Sequence, residues 1–210
     1  VALAPIVSIT AYAVMGIAFE KLGLTCSWIA FFAPLCVLSA ILFAVRFGMR
    51  RLGVARGAVE CSKAASSVGK DILEPVKPFS ILLIYCLTGL IAASVFFLGN
   101  LETADSFVQE YDNVSHLSRI QTFVQSGSWS CFGSAYYPDT PTGAMDPLPS
   151  SGFYPSAWHV LAAMIVDALG VSVPFSANVV NFIFIAFVFS SGFSLLFRAM
   201  FPMRPAIQLC

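Results

Sequence analysis

Four long apolar runs, none broken by a charged residue, constrain this chain more than any other feature. They are Val1–Phe19, Trp28–Val45, Phe79–Leu98 and Ala177–Phe197. About 20 apolar residues in a helix match the thickness of a bilayer's hydrocarbon core. Lipid offers no hydrogen bonds, so such segments must be helical to satisfy their own backbone groups. A further stretch, Ser156–Val173, is shorter and is interrupted by His159 and Asp167. It is predicted as another span, with a re-entrant or interfacial helix as its rival. The expected fold is therefore all-α: a polytopic transmembrane helical bundle of about five spans. Composition agrees, with 58% hydrophobic and only 10% charged residues and a mean hydropathy of +0.84. Soluble domains carry nearer a quarter charged residues.

The few charges are segregated. Arg46, Arg50, Arg51, Arg56, Lys63, Lys70 and Lys77 all fall between the second and third runs. Cytoplasmic loops are rich in Lys and Arg, which places loop 46–77 in the cytoplasm and loop 99–155 outside the cell membrane. The outer loop has Arg119 alone against Glu102, Asp105, Glu110, Asp112, Asp139 and Asp146. One detail disagrees, because five spans put Arg198 and Arg204 outside. Arg46, Arg50 and Arg51 suit anchoring to anionic lipid headgroups. A net charge of zero gives no reason to expect nucleic acid.

Two regions follow: 1–78, with two spans and the basic loop, and 79–210, with the remaining spans and the outer loop. The chain starts at Val1 and stops at Cys210 just after a span, so it is read as a fragment of a longer protein. Its apolar start lacks the charged leader of a signal peptide. The six cysteines form no CxxC pair and no zinc spacing. Cys26 and Cys131 fall on the same outer side, where a disulfide and two free thiols are the alternatives. Phosphate-binding loops, HExxH and Ser/His/Asp patterns are absent, and no cofactor is expected.

The outer loop carries the chemistry. Loops this long are usually functional or disordered, and this one is too aromatic to be simply disordered. Asp105–Ser126 is predicted as an amphipathic helix lying on the membrane, closed by Gly127. At about 100° per residue, Asp112, His116 and Arg119 share an arc of roughly 60°, with Val114, Leu117, Ile120 and Val124 on the opposite side. A carboxylate there can serve as a general base, and Arg and His can hold a phosphate. Charges paired along a solvated helix face are the plainer alternative. Tyr154, Pro155, Trp158 and His159 form a second cluster at the start of the fourth span. Tyr154 and Trp158 also suit an aromatic belt, and His159 a hydrogen-bonded core position. Asp167 is costly at membrane depth and so marks a functional or paired position, or else the cytoplasmic end of the span. Nothing in the spacing of two His and one Asp requires a metal.

YDNVSHLSRIQTFVQSG (Tyr111–Gly127), GFYPSAWHVLAAMI (Gly152–Ile165) and SANVVN (Ser176–Asn181) occur in that order. Together they resemble the first outer loop and following spans of polytopic GT-C glycosyltransferases. The likeness is greatest to a bacterial, largely actinobacterial, family of uncharacterised GT-C-like membrane proteins. It covers about residues 81–202, the N-terminal part of a GT-C-like module. The resemblance implies a polyprenyl-phosphate-linked sugar donor used at the outer membrane face. It makes Asp112 the catalytic base, with His116 beside it and His159 lining the site from the next span; Arg119 and Tyr154, from the two clusters above, complete the candidate substrate-binding residues. Asn113 follows Asp112, so the paired acidic motif of many such enzymes is broken and no metal is expected. Asp112, His116 and His159 should meet in one outward-facing cavity. The competing functions are a transporter or flippase of a lipid-linked or small anionic substrate, using Arg119, His159 and Asp167, and a non-catalytic envelope-assembly subunit.

Overall fold

The computed structural model describes residues 4–51, 78–107, 111–132 and 153–201. Every regular element among them is helical. By contacts the chain forms two compact units, one of residues 1–28 and 76–210 and the other of Ile29–Pro75.

The first unit begins with α1, Ala4–Leu22. Its end is set by Gly23 at φ 64°, which lets the Gly23 N–H reach the Glu20 carbonyl and the Leu24 N–H reach the Phe19 carbonyl. This pair of bonds satisfies carbonyls that the helix leaves open. Helix α2, Trp28–Arg51, contains Pro34 and supplies the described residues of the second unit. Helix α3, Pro78–Ala92, opens on a proline, suited to a first turn that needs no N–H partner. It runs on through a π-helical turn, Ala93–Phe97, and a 3-10 turn, Leu98–Asn100. Helix α4 is Tyr111–Ser126, α5 is Ala157–Leu169 and α6 is Val173–Ile183. A π segment, Phe184–Phe189, joins α6 to α7, Ser190–Met200.

Among the described residues, four helical stretches are long and apolar enough to cross a membrane: Ala4–Leu22, Trp28–Met49, Phe79–Asn100 and Val173–Met200. Their flanks are apolar and exposed, as at Phe96 and Phe43, a surface suited to lipid rather than water. The expected fifth span is corrected. It is only the 13-residue α5, about 20 Å long at 1.5 Å per residue, against roughly 30 Å of hydrocarbon. Gly170, at φ 64°, stops it, and Ser172 at once caps α6 by accepting the Phe175 N–H at 3.2 Å.

Small side chains hold α3 against the π segment and α7. Gly89 has no room for a Cβ, which would stand 2.7 Å from the Ala186 carbonyl oxygen. Ala93, Ala186, Ser190 and Ser194 are all buried. In lipid there is little hydrophobic drive between helices, so close backbone approach of this kind supplies the attraction. Tyr85 stacks on Phe197 further along the same contact.

Helix α4 departs from expectation in two ways. It starts at Tyr111, and Leu101–Phe107 is a turn, while 108–110 lie outside the described residues. The turn is held by the Asn178 amide, which donates to the carbonyls of Ala104 at 3.0 Å and Ser106 at 2.9 Å, and by the Ser172 hydroxyl donating to Asp105. Backbone satisfied this way gains nothing from becoming helix. Its buried face is also shifted round the helix. Ile120, from the expected apolar side, and Phe123 are fully buried, whereas Val114 of that side is 54% exposed. His116 and Arg119 turn toward His159 and Tyr154, while Asp112 stays exposed.

Candidate functional site

The site lies where α4 packs on α5. His116 is on the second turn of α4 and His159 on the first turn of α5, and the two rings meet head-on. Nδ1 of His116 lies 2.8 Å from Nε2 of His159. On its far side, His116 Nε2 lies 3.4 Å from Asp112 Oδ2, one helical turn earlier. The three groups form a line from solvent to interior. Side-chain exposure is 85% for Asp112 and 27% for His116, and His159 as a residue is 2% exposed.

Aromatic rings wall the inner end. Tyr154 and Trp158 both stand edge-on to His159, with centroids at 5.6 and 5.1 Å. Trp158 is fixed by its indole N–H, which donates to Asn181 Oδ1 at 3.0 Å. Tyr154 is fixed by its backbone N–H, which donates to the Cys131 carbonyl at 2.9 Å. The Arg119 guanidinium lies over the Tyr154 ring, 3.5 Å from its centroid, close enough for a strong cation–π contact. Its Nη1 and the Nδ1 of His159 are buried without a hydrogen bond of ordinary geometry.

These surroundings disfavour a second positive charge. Burial is the largest influence holding the His159 pKa down, to about 3, with the neighbouring His116 and Arg119 adding to it. The Ser156 backbone pulls weakly the other way. His159 is therefore a neutral imidazole at physiological pH.

All five residues singled out from the sequence, Asp112, His116, Arg119, Tyr154 and His159, adjoin one another here. Asp167 does not join them. It is exposed at the far end of α5, where Oδ2 accepts the backbone N–H of Trp28 at 2.8 Å. That is a helix-capping position, where a carboxylate meets an unpaired N–H at a helix start. Two supporting residues were not singled out as site residues. Asn181, a lone amide in an apolar helix, was a readable signal. Trp129 was not, since its role depends on packing: it is buried and donates to the Phe123 carbonyl at 2.9 Å.

A cavity of about 590 Å³ lies on the other face of α4, lined by Leu101, Glu102, Asp105, Val114, Leu117 and Pro174 among others. The histidine pair is not part of its lining. Among the described residues, no three His, Cys, Asp or Glu side chains come together as a metal site would need. Cys26 and Cys131 are buried free thiols.

Four apolar helices of spanning length, with a short apolar helix and a polar cluster packed beside them, define a polytopic helical membrane protein. The chain belongs to a family of unknown function, DUF6541, whose sequence pattern it matches over residues 1–210. No curated protein and no solved structure matches it.

Proposed function

We propose that this protein is a membrane transferase of the GT-C kind. It moves a sugar from a polyprenyl-phosphate-linked donor to an acceptor hydroxyl at the outer membrane face. The observation that carries the reading is the line Asp112–His116–His159, with Arg119 beside it. The exposed carboxylate of Asp112 is accessible to an acceptor and takes its proton. The oxygen of that acceptor then bonds to the sugar C1 as the bond from C1 to the phosphate oxygen breaks. Arg119 supplies the positive charge that the leaving lipid phosphate requires, and His116 stands beside it as a hydrogen-bonding group.

Sidedness fits this reading once α5 is not counted as a span. Between the basic loop 46–77 and Arg198 there are then two crossings, by α3 and by α6–α7. Arg198 returns to the cytoplasmic side, and the exception that five spans produced disappears. The transporter reading loses support, because its deepest ionisable residue, Asp167, is exposed and engaged with Trp28.

The test is a reconstituted assay of the full-length protein with a polyprenyl-phosphate sugar. Asp112→Asn should lower turnover about a hundredfold, the scale of general-base loss, with donor binding retained. Unchanged turnover in Asp112→Asn removes Asp112 from the chemistry, and a wild-type protein without turnover overturns the transferase reading.

A further inference from the structure

We propose that the cavity on the other face of α4 is a second binding site, which takes the ammonium end of a membrane amphiphile. The site stands apart from the transferase reading, because it uses none of the residues of the histidine line.

The cavity measures about 590 Å³, within the range of small-molecule sites. It is bounded by Asn100, the last residue of one spanning stretch, and by Pro174, the second residue of another. Where one span ends and another starts, the surrounding bilayer has passed from hydrocarbon to headgroups. Phe107 and the α4 residues Val114 and Leu117 form an apolar wall. Val114 is 54% exposed, so this wall offers uncovered surface to a hydrocarbon chain.

The polar wall decides the charge of the ligand. It consists of Asn100, Glu102, Asp105 and Ser106. The Asn100 amide donates to the Phe96 carbonyl at 2.6 Å, and the Ser106 hydroxyl accepts the Thr103 N–H at 2.8 Å. Asp105 Oδ1 accepts the Ser172 hydroxyl. Its Oδ2 and both oxygens of Glu102 have no partner among the described residues. What this wall offers a ligand is therefore carboxylate oxygen, which accepts hydrogen bonds and donates none. None of the described lining residues is basic. Arg119 is held over Tyr154, about 140° round the helix from Val114 and about 160° from Leu117.

An ammonium group matches that wall, with three N–H donors and one positive charge, and its bonds to carboxylates are charge-assisted. A phosphate or carboxylate ligand would meet two like charges and no donor. A purely apolar ligand would take Glu102 out of water with nothing in exchange. A soluble amine would leave the apolar wall uncovered. An amphiphile with an amine at headgroup depth satisfies both walls at once.

The experiment is native mass spectrometry of the full-length protein in detergent, with three probes that share one chain: oleylamine, oleyl alcohol and oleic acid. Oleylamine adducts should exceed the other two severalfold. Glu102→Gln should weaken oleylamine binding about two- to fivefold, the scale of a partly exposed ion pair, and leave oleyl alcohol unchanged. Val114→Trp, which fills the cavity from an exposed position, should reduce oleylamine adducts as well. Equal binding of the three probes overturns the proposal. So do oleylamine adducts undiminished in both variants. Displacement of oleylamine by an equal concentration of ethanolamine would show a soluble-amine site and overturn the membrane source.

Discussion

Gly16 on α1 is a point at which the segment after α4 presses on a span, and adding one methyl there makes a demanding test. A Cβ at this position would run into the Trp129 carbonyl oxygen and stand 3.0 Å from its carbonyl carbon, where ordinary contact begins near 3.4 Å. The obstructing atoms are backbone. Trp129 cannot easily retreat. Its side chain is buried and hydrogen-bonded to Phe123, and two residues on, the Cys131 carbonyl holds Tyr154. Overpacking of this type costs about 1–3 kcal/mol. Alanine regains up to about 1 kcal/mol of helix propensity over glycine. The net expectation for Gly16→Ala is a loss of about 1–2 kcal/mol, roughly a five- to thirtyfold shift toward the unfolded state. Denaturant unfolding in detergent micelles, followed by tryptophan emission, measures it. Gly192→Ala is the control, since nothing lies within 4 Å of a Cβ there, and it should be neutral or slightly stabilising. If Gly16→Ala proves as stable as Gly192→Ala, the close approach of α1 and Trp129 is wrong, and with it the account of how Tyr154 is held.

Other perturbations read other parts of the structure. Gly89→Ala should destabilise by about 1–3 kcal/mol, since the added methyl meets the Ala186 carbonyl and Ser190; the same unfolding assay measures it. Asp167→Ala should cost about 0.5–2 kcal/mol, the scale of a lost helix cap, and Asp167→Asn less, as melting temperatures will show. A histidine whose folded pKa is lowered binds fewer protons than the unfolded chain between about pH 3 and its ordinary value near 6.5. Stability should therefore fall as pH drops through that window, and His159→Gln should flatten the fall. For sidedness, single cysteines replacing Ser126 and Arg198 in a cysteine-free background should label from opposite sides of sealed cells; labelling from the same side would refute the four-crossing arrangement.

The helices were legible because their signal is one-dimensional. Runs such as Phe79–Leu98 and Trp28–Val45 announce themselves by length and by absence of charge, and Gly127 marks the end of α4 by its positive φ. That residues 105–107 lie outside α4 was less so. It depends on partners remote in sequence, since Asn178 and Ser172 hold residues 104–106 out of helix. No local pattern around Asp105 encodes an amide that arrives from 74 positions away. For Asp167 the sequence leaves a functional, a paired and an end-of-span position open, and the structure shows it paired, with a backbone N–H 139 residues earlier that no local pattern names.

The shifted face of α4 has a more general cause. Amphipathic reasoning assumes that apolar residues turn inward and polar ones toward water. Beside a membrane, apolar side chains can face lipid at no cost, and polar ones turn inward wherever partners await them. Val114 is left exposed, while His116 and Arg119 turn toward His159 and Tyr154. The arc is thus split, with His116 and Arg119 turned inward and Asp112 left exposed. The same burial of polar groups explains why the cluster is chemically interesting. A guanidinium nitrogen and an imidazole nitrogen buried without hydrogen-bond partners carry a desolvation cost that apolar residues of similar size would avoid. An anionic ligand reaching Arg119 and His116 would offset part of that cost, which is the energetic reason to look for a phosphate-bearing substrate at this end of α4.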